Sequence, residues 1–235
     1  MTKNSERVSR NAILSSLSST EFDRLIPHLK EVSLRRGQVL HESGDPAREV
    51  YFLDEGVAAI SVSSEEGREV GLSIVGDESL VGERAMYKEG VFVIRCAMLT
   101  EGKGFTLSPK VFSEEFERGK ELHDKVLNCM EARMTESAQT AMCNQVHSIE
   151  QRLVRWLLVF SDRLHQKEFE LTQEEIAEFL SVRRVGVSEA AGELRKSGLI
   201  DYSRGTISIT DYEGLNRRAC ECYGIIKEAV DTFAS

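Results

Sequence analysis

The chain has 235 residues, 41% hydrophobic and 29% charged, with a formal net charge of -9 at pH 7. That length holds one large domain or two small ones, and that balance predicts a packed globular fold. The negative sum excludes a uniformly basic nucleic-acid protein and predicts weak non-specific DNA binding, but it leaves room for a local basic edge that meets phosphate. No apolar run approaches the roughly 18 residues of a membrane span. The start, MTKNSERVSRNAIL, lacks the apolar stretch of a signal peptide. The expectation is a cytoplasmic protein with no membrane partner, whose five cysteines stay mostly reduced.

Ile13, Leu14 and Leu17 begin a short helix. Ser19-Thr20 is read as the cap of a second, EFDRLIPHLK, with Phe22, Leu25, Ile26 and Leu29 inward. From Glu31 to about Leu107 the hydrophobic period becomes two. EVSLRR, QVLHE, EVYFLD, VAAISVS, EVGLSIV, VFVIRCAML and KGFTL are short strands punctuated by glycine turns, among which Gly44 and Gly56 suit positive φ. This spacing predicts a small antiparallel barrel or roll.

Ser108-Pro109 starts the helix PKVFSEEFERG, which Gly119 breaks. A long helix is predicted from Lys120 to about Val146. Leu122, Val126, Met130, Met134, Ser137, Ala138 and Ala141 recur on it at three- and four-residue steps. The stripe is narrow, which suits a two-helix seam, so the helix is expected to dimerise with its copy. Core within one subunit is the alternative. A hinge is placed near Asn144 to Ser148. The helix LVRWLLVFSDRL then follows, with the single tryptophan, Trp156, in the core.

The stretch from Leu171 to Ile209 carries the most specific pattern. Thr172 followed by Glu175 is a capping box, and Ile176, Ala177 and Leu180 continue at helical spacing. Ser181-Val182-Arg183 is a tight polar break. A second helix is predicted from about Arg184 to Lys196, with Val187, Ala190, Ala191 and Leu194 on one face and Gly198 as its stop. Tyr202 to Thr206 then turns into alternating Ile207 and Ile209, as a β-wing would. Two short helices of this spacing share one apolar wedge and leave the start of the second free to enter a major groove.

No Ser/His/Asp or Cys/His arrangement, phosphate-binding glycine loop or metal tetrad is visible in the spacing, so no enzyme and no metal site are expected. Cys220-Glu221-Cys222 reads as an exposed pair at a helix start, and Cys129 and Cys143 as seam residues. The five histidines show no ligand spacing.

A β-roll, a long helix and a winged helix-turn-helix, in that order, resemble the CRP/FNR superfamily of bacterial transcription regulators. The resemblance rests chiefly on GDPAREVYFLDEGVAAISV and LTQEEIAEFLSVRRVGVSEAAGELRKSGLI and covers about residues 12 to 220. It implies an α+β protein: an N-terminal antiparallel β-roll, a cyclic-nucleotide-binding-like jelly roll, over 1–118; a dimerisation helix over 119–146; and a C-terminal winged helix-turn-helix over 147–235. It further implies a homodimer on a two-fold symmetric double-stranded DNA operator, with RNA polymerase as a partner. An effector in the roll would shift the hinge and set the spacing of the two recognition helices. By resemblance, Arg184 reads guanine and Ser188 faces the same groove. Thr172 and Gln173 meet phosphate, and Arg183, Val185 and the wing's Arg204 complete the DNA-binding set. Val185 and Glu189 depart from the pattern of the cyclic AMP receptor branch, which puts that branch's half-site in doubt.

The resemblance also marks an effector pocket. Gly82-Glu83 and Arg95-Cys96-Ala97 match the outline in which glutamate holds a ribose hydroxyl and arginine a cyclic phosphate, and Ser137 matches a hydroxyl that contacts adenine. Cys96 stands where a hydroxyl residue is usual, and a thiol is a poorer donor. A cyclic nucleotide (cyclic AMP or cyclic GMP), another small effector and an unliganded pocket all remain open at this point. So does a sensor that regulates a protein partner without binding DNA.

Overall fold

The structure, a computed structural model, describes residues 9–87, 91–203 and 205–233. The chain divides into two compact units. One comprises the residues up to Ala58, Val75–Glu131 and the stretch from Val230; the other comprises Ala59–Ile74 and Ala132–Ala229.

The first unit opens with α1 (Ala12–Ser16) and α2 (Ser19–Leu25), followed by a 3-10 turn at Ile26–His28. Asn11 fixes α1. Its buried side chain accepts from the Ile13 and Leu14 amides and donates to the carbonyls of Leu53 and Ser79. The cap expected at Ser19-Thr20 lies one residue earlier: Ser18 is the N-cap of α2, without a side-chain bond.

Eight strands follow in the chain: β1 (Lys30–Leu34), β2 (Val39–His41), β3 (Val50–Glu55), β4 (Ala58–Ser63), β5 (Glu69–Val75), β6 (Leu80–Val81), β7 (Arg95–Met98) and β8 (Gly102–Leu107); nearly all of β4 and β5 falls in the second unit. They order as β1-β8-β3-β6 and β2-β7-β4-β5. The pairs β1–β8, β3–β8, β3–β6 and β2–β7 are antiparallel, as the alternating pattern and glycine turns predict. Helix α3 (Pro109–Glu117) is capped by Ser108, and Gly119, at φ 64°, ends the segment.

Helix α4 (Glu121–Val146) divides the stripe expected to form a seam between a buried start and an exposed later part. Leu122 and Val126 are 1% and 0% exposed and pack in one core with Leu14, Phe52, Leu107 and Phe112. Further along, Met134 is 61% exposed, and Ala138 and Ala141 are exposed with it. Helical periodicity marks an apolar face but does not say which body covers it.

The second unit contains α5 (Ile149–Leu164), β9 (Glu168–Glu170), α6 (Gln173–Leu180), α7 (Arg184–Lys196), β10 (Ile200–Ser203), β11 (Thr206–Ile209), α8 (Tyr212–Arg217) and, up to Ala229, α9 (Glu221–Phe233). Ser148 and Gln151 form a capping box at the start of α5. Trp156 is buried beside Phe160 and Phe179, with ring centroids 5.1 and 5.5 Å away. The wing is three-stranded, β10-β11-β9, because Phe169 brings β9 against Ile207. Among the described residues no helix is long and apolar enough to cross a membrane.

Candidate functional site

Local sequence builds the helix-turn-helix. Thr172 Oγ1 accepts from the Glu175 amide at 3.2 Å, and Glu175 Oε2 accepts from the Thr172 amide at 2.8 Å, which closes both ends of the capping box. Helix α6 buries Ile176, Ala177 and Leu180; α7 buries Val187, Ala190, Ala191 and Leu194. Ser181 ends α6 in the left-handed region (φ 52°, ψ 48°), which costs a non-glycine residue about 1–2 kcal/mol. Two interactions hold that turn. The Val182 amide returns to the Ala177 carbonyl at 3.0 Å, and the buried Arg152 guanidinium donates to the Leu180 carbonyl. A cation at a helix C-terminus also meets the negative end of its dipole. Burial pulls the Arg152 pKa down, while nearby Cys143 favours the charged form.

Gly186 lets the start of α7 come close to α5: a Cβ there would lie 2.7 Å from Ile149 Cδ1. The opposite side of that start is open. Arg183, Arg184, Val185 and Ser188 are all exposed, Val185 at 66%. Arg184 Nε lies 3.8 Å from Glu174 Oε2, both on solvent-facing side chains. Such a pair contributes about 0–1 kcal/mol and exchanges readily for another acceptor. Thr172 is exposed and Gln173 half-buried at the start of α6. Arg204 lies outside the described residues.

In the roll, Gly82 has φ 101°, and a Cβ there would stand 2.5 Å from the Glu49 carbonyl oxygen, so the position requires glycine. Glu83 follows, buried, at the start of the 3-10 turn Glu83–Met86. Arg95 is half-buried, and its Nε meets Glu42 Oε1 at 3.2 Å. Cys96 and Ala97 are buried. Cys96 lies near Tyr51, whose phenol is pushed up first by burial, then by Glu49 and Cys96. Ser137 is half-buried on α4, in the second unit.

The cysteines depart most from expectation. Cys220 and Cys222 are not an exposed pair but are 6% and 0% exposed, and Cys143 is 0% exposed. With His147 they form a cluster whose ligand atoms all lie within 4.8 Å of one another. Sequence spacing missed it because the two halves are separated by more than seventy residues: |i−j| is 77 between Cys143 and Cys220. The hydrogen bond between Cys143 and Cys220 draws the Cys220 thiol down and pushes that of Cys143 up; burial raises Cys222.

Comparison with known proteins agrees with this architecture. The family model of the cyclic nucleotide-binding domain matches residues 31–118, and that of the Crp-like helix-turn-helix domain matches residues 151–218. These two domains define a transcription regulator with a roll of the cyclic nucleotide-binding type and a Crp-like helix-turn-helix. The chain belongs to the CRP/FNR family. It is 23% identical over 221 residues to a CRP-like cAMP-activated global transcriptional regulator of Mycobacterium tuberculosis, covering 91% of this chain and 99% of that protein. It is 22% identical over 192 residues to a global nitrogen regulator of Synechococcus elongatus, covering 78% and 86%. FixK2 from Bradyrhizobium japonicum shares the fold at a TM-score of 0.70 and 15% identity, over 82% of this chain and 98% of that one. TTHB099 of Thermus thermophilus does so at 0.66 and 23%, over 80% and 96%.

Proposed function

We propose that the protein acts as a homodimer that reads a two-fold symmetric DNA operator and whose occupancy is controlled by a small effector in the roll. The observation that carries this reading is the exposed, arginine-tipped start of α7, held on a capped and packed α6. In it, Arg184 donates to the O6 and N7 edge of guanine, and Ser188 and Val185 face the same groove. Thr172, Gln173, Arg183 and Arg204 contact the backbone or the groove edge. Residues 1–118 serve as the effector roll, 119–146 as the dimerising helix and 147–235 as the DNA-binding part. The exposed stripe of Met134, Ala138 and Ala141 supports pairing of α4 with its copy. RNA polymerase is the downstream partner and the cytoplasm the place of action; the protein performs no chemistry of its own.

The effector class proposed is a 3′,5′-cyclic nucleotide. The Gly82 turn and the buried Glu83 suit a ribose; Arg95 supplies a cation for phosphate but holds Glu42; Cys96 supplies no hydroxyl. Calorimetric titration with cyclic AMP and cyclic GMP tests this part separately, and no heat up to millimolar ligand removes it. Operator selection from random duplexes, followed by footprinting, tests the DNA part. Two protected half-sites about one helical turn apart are expected. A chain that sediments as a monomer and selects no sequence sinks the reading and favours a sensor acting on a protein partner.

A further inference from the structure

Cys143 and His147 occupy the last turn of α4 and the residue just beyond it; the His147 amide bonds the Cys143 carbonyl at 3.1 Å, so both side chains share one helical face. Cys220 and Cys222 flank the first residue of α9. The fold brings Cys143 Sγ to 3.8 Å from Cys220 Sγ and Cys222 Sγ to 3.6 Å from His147 Nδ1. A tetrahedral zinc ion, with bonds of about 2.3 Å to sulfur and about 2.0–2.1 Å to nitrogen, places two sulfurs about 3.8 Å apart and a sulfur and a nitrogen about 3.6 Å apart. Those two separations match a ligand pair on one ion, and all four ligand atoms lie within 4.8 Å of one another. Four ligand atoms all within 4.8 Å of one another are too close to be shared among the separate irons of a cluster, and 3.8 Å is far beyond the roughly 2.05 Å of a disulfide.

Two neighbouring groups point the same way. His147 Nε2 lies 3.3 Å from Glu221 Oε2, which leaves Nδ1 as the ligand and supplies the carboxylate that usually orients a metal-bound imidazole. Arg155 is 2% exposed. Its Nη1 donates to Thr140 Oγ1 at 3.2 Å, whereas Nε and Nη2 meet no hydrogen-bond acceptor. A buried guanidinium calls for a nearby negative charge. Three thiolates and an imidazole on a dication carry one net negative charge.

We propose that Cys143, His147, Cys220 and Cys222 form a closed mononuclear site for a thiophilic divalent cation, with zinc as its occupant. The ion ties the end of α4 to the start of α9 next to Ser148, where α5 begins. Helix α5 in turn carries Arg152, which holds the turn between α6 and α7. The ion thereby stiffens the support of the helix-turn-helix and sustains operator binding. It has no open coordination position, so it is structural rather than catalytic.

The full chain, purified under reducing and anaerobic conditions with zinc in the medium, tests this without DNA. Mass-spectrometric metal analysis is expected to find one zinc per chain. Exchange with cobalt is expected to give the thiolate charge-transfer and visible bands of a tetrahedral site. Cys143→Ser and Cys222→Ser should each lose those bands. Glu221→Ala, an exposed side chain whose loss leaves folding intact, should keep the site but weaken cobalt affinity about 10–100-fold. If the serine variants fail to fold, the cobalt spectrum of the unaltered chain and the Glu221→Ala titration decide. Reduced chain that holds neither metal stoichiometrically overturns the site. So does chain that carries iron with acid-labile sulfide, or an unchanged affinity in Glu221→Ala. Metal content is read apart from DNA binding, so failure of this site and failure of the DNA-binding reading are distinguishable.

Discussion

At the start of α7, Arg183, Arg184, Val185 and Ser188 stand in solvent, and Arg184 has an exchangeable contact with Glu174. In the roll, Glu83, Cys96 and Ala97 are buried and Arg95 already holds Glu42. The difference is one of when the cost of organisation is met. The side chains proposed to read DNA are presented by helices that are packed without any duplex, so binding there would be set by presentation. A ligand in the roll must exchange existing contacts for its own, so binding there is set by the balance of two pairings.

The largest effect expected is on the presented side. Arg184→Ala should remove the proposed bidentate guanine contact and with it about 1–3 kcal/mol, or about 5–150-fold, of discrimination between operator and random DNA. Its thermal midpoint should hardly move, because the side chain is largely exposed and its pairing with Glu174 is a weak surface contact. Competition binding at fixed salt, alongside thermal melts, checks both halves. Full discrimination in the variant would show that α7 is not the reading element. Gly82→Ala probes the buried side. It forces a Cβ toward the Glu49 carbonyl at positive φ and should destabilise the fold by about 1–3 kcal/mol, read as a lower urea midpoint. A midpoint within error of the parent would mean that the turn is free to rearrange.

The same contrast explains what the sequence revealed. The helix-turn-helix was legible because its signals are local: Thr172 and Glu175 are three residues apart, and the stop at Gly198 sits beside the helix it ends. The strands of the roll followed from alternation and glycine turns. Strand β6 is two residues long, and β9 has a single buried residue, Phe169, so neither has a period to detect. Leu122 and Val126 looked like Met134 in sequence, yet one set is core and the other is not. Cys143 and Cys220 meet only because α4 and α9 converge, and no spacing rule joins residues so distant in the chain.

Smaller effects refine the contrast within the second unit. Tyr212 and Tyr223 both reach Asp162, at 2.7 and 2.9 Å, and thereby tie α8 and α9 to α5. Burial, with Asp162 next to it, raises the Tyr212 phenol from 10.0 to about 12, against the opposing effect of the Tyr223 hydroxyl. The folded state therefore favours the neutral phenol. Its contribution is complete below pH 10 and is lost as pH rises toward about 12. Tyr212→Phe should make the alkaline loss of stability shallower across that window; an unchanged profile of urea midpoint against pH would refute the link. Thr172→Ala removes the cap of α6 and should cost about 1 kcal/mol in chemical denaturation. No loss would mean that water or a neighbouring group replaces the threonine oxygen.

The smallest change tests the exchange idea itself. Glu42 is exposed and holds Arg95 at the rim of the roll, so Glu42→Gln should alter stability by less than about 1 kcal/mol. It should nonetheless tighten any phosphate-bearing effector, because the carboxylate no longer competes for the guanidinium and no longer repels the anion. Calorimetric titration of parent and variant with cyclic AMP at low and high salt separates these outcomes. A gain that shrinks with salt supports competition at Arg95. Equal binding by both proteins means that Arg95 does not hold the phosphate, and the roll then takes its ligand through other groups.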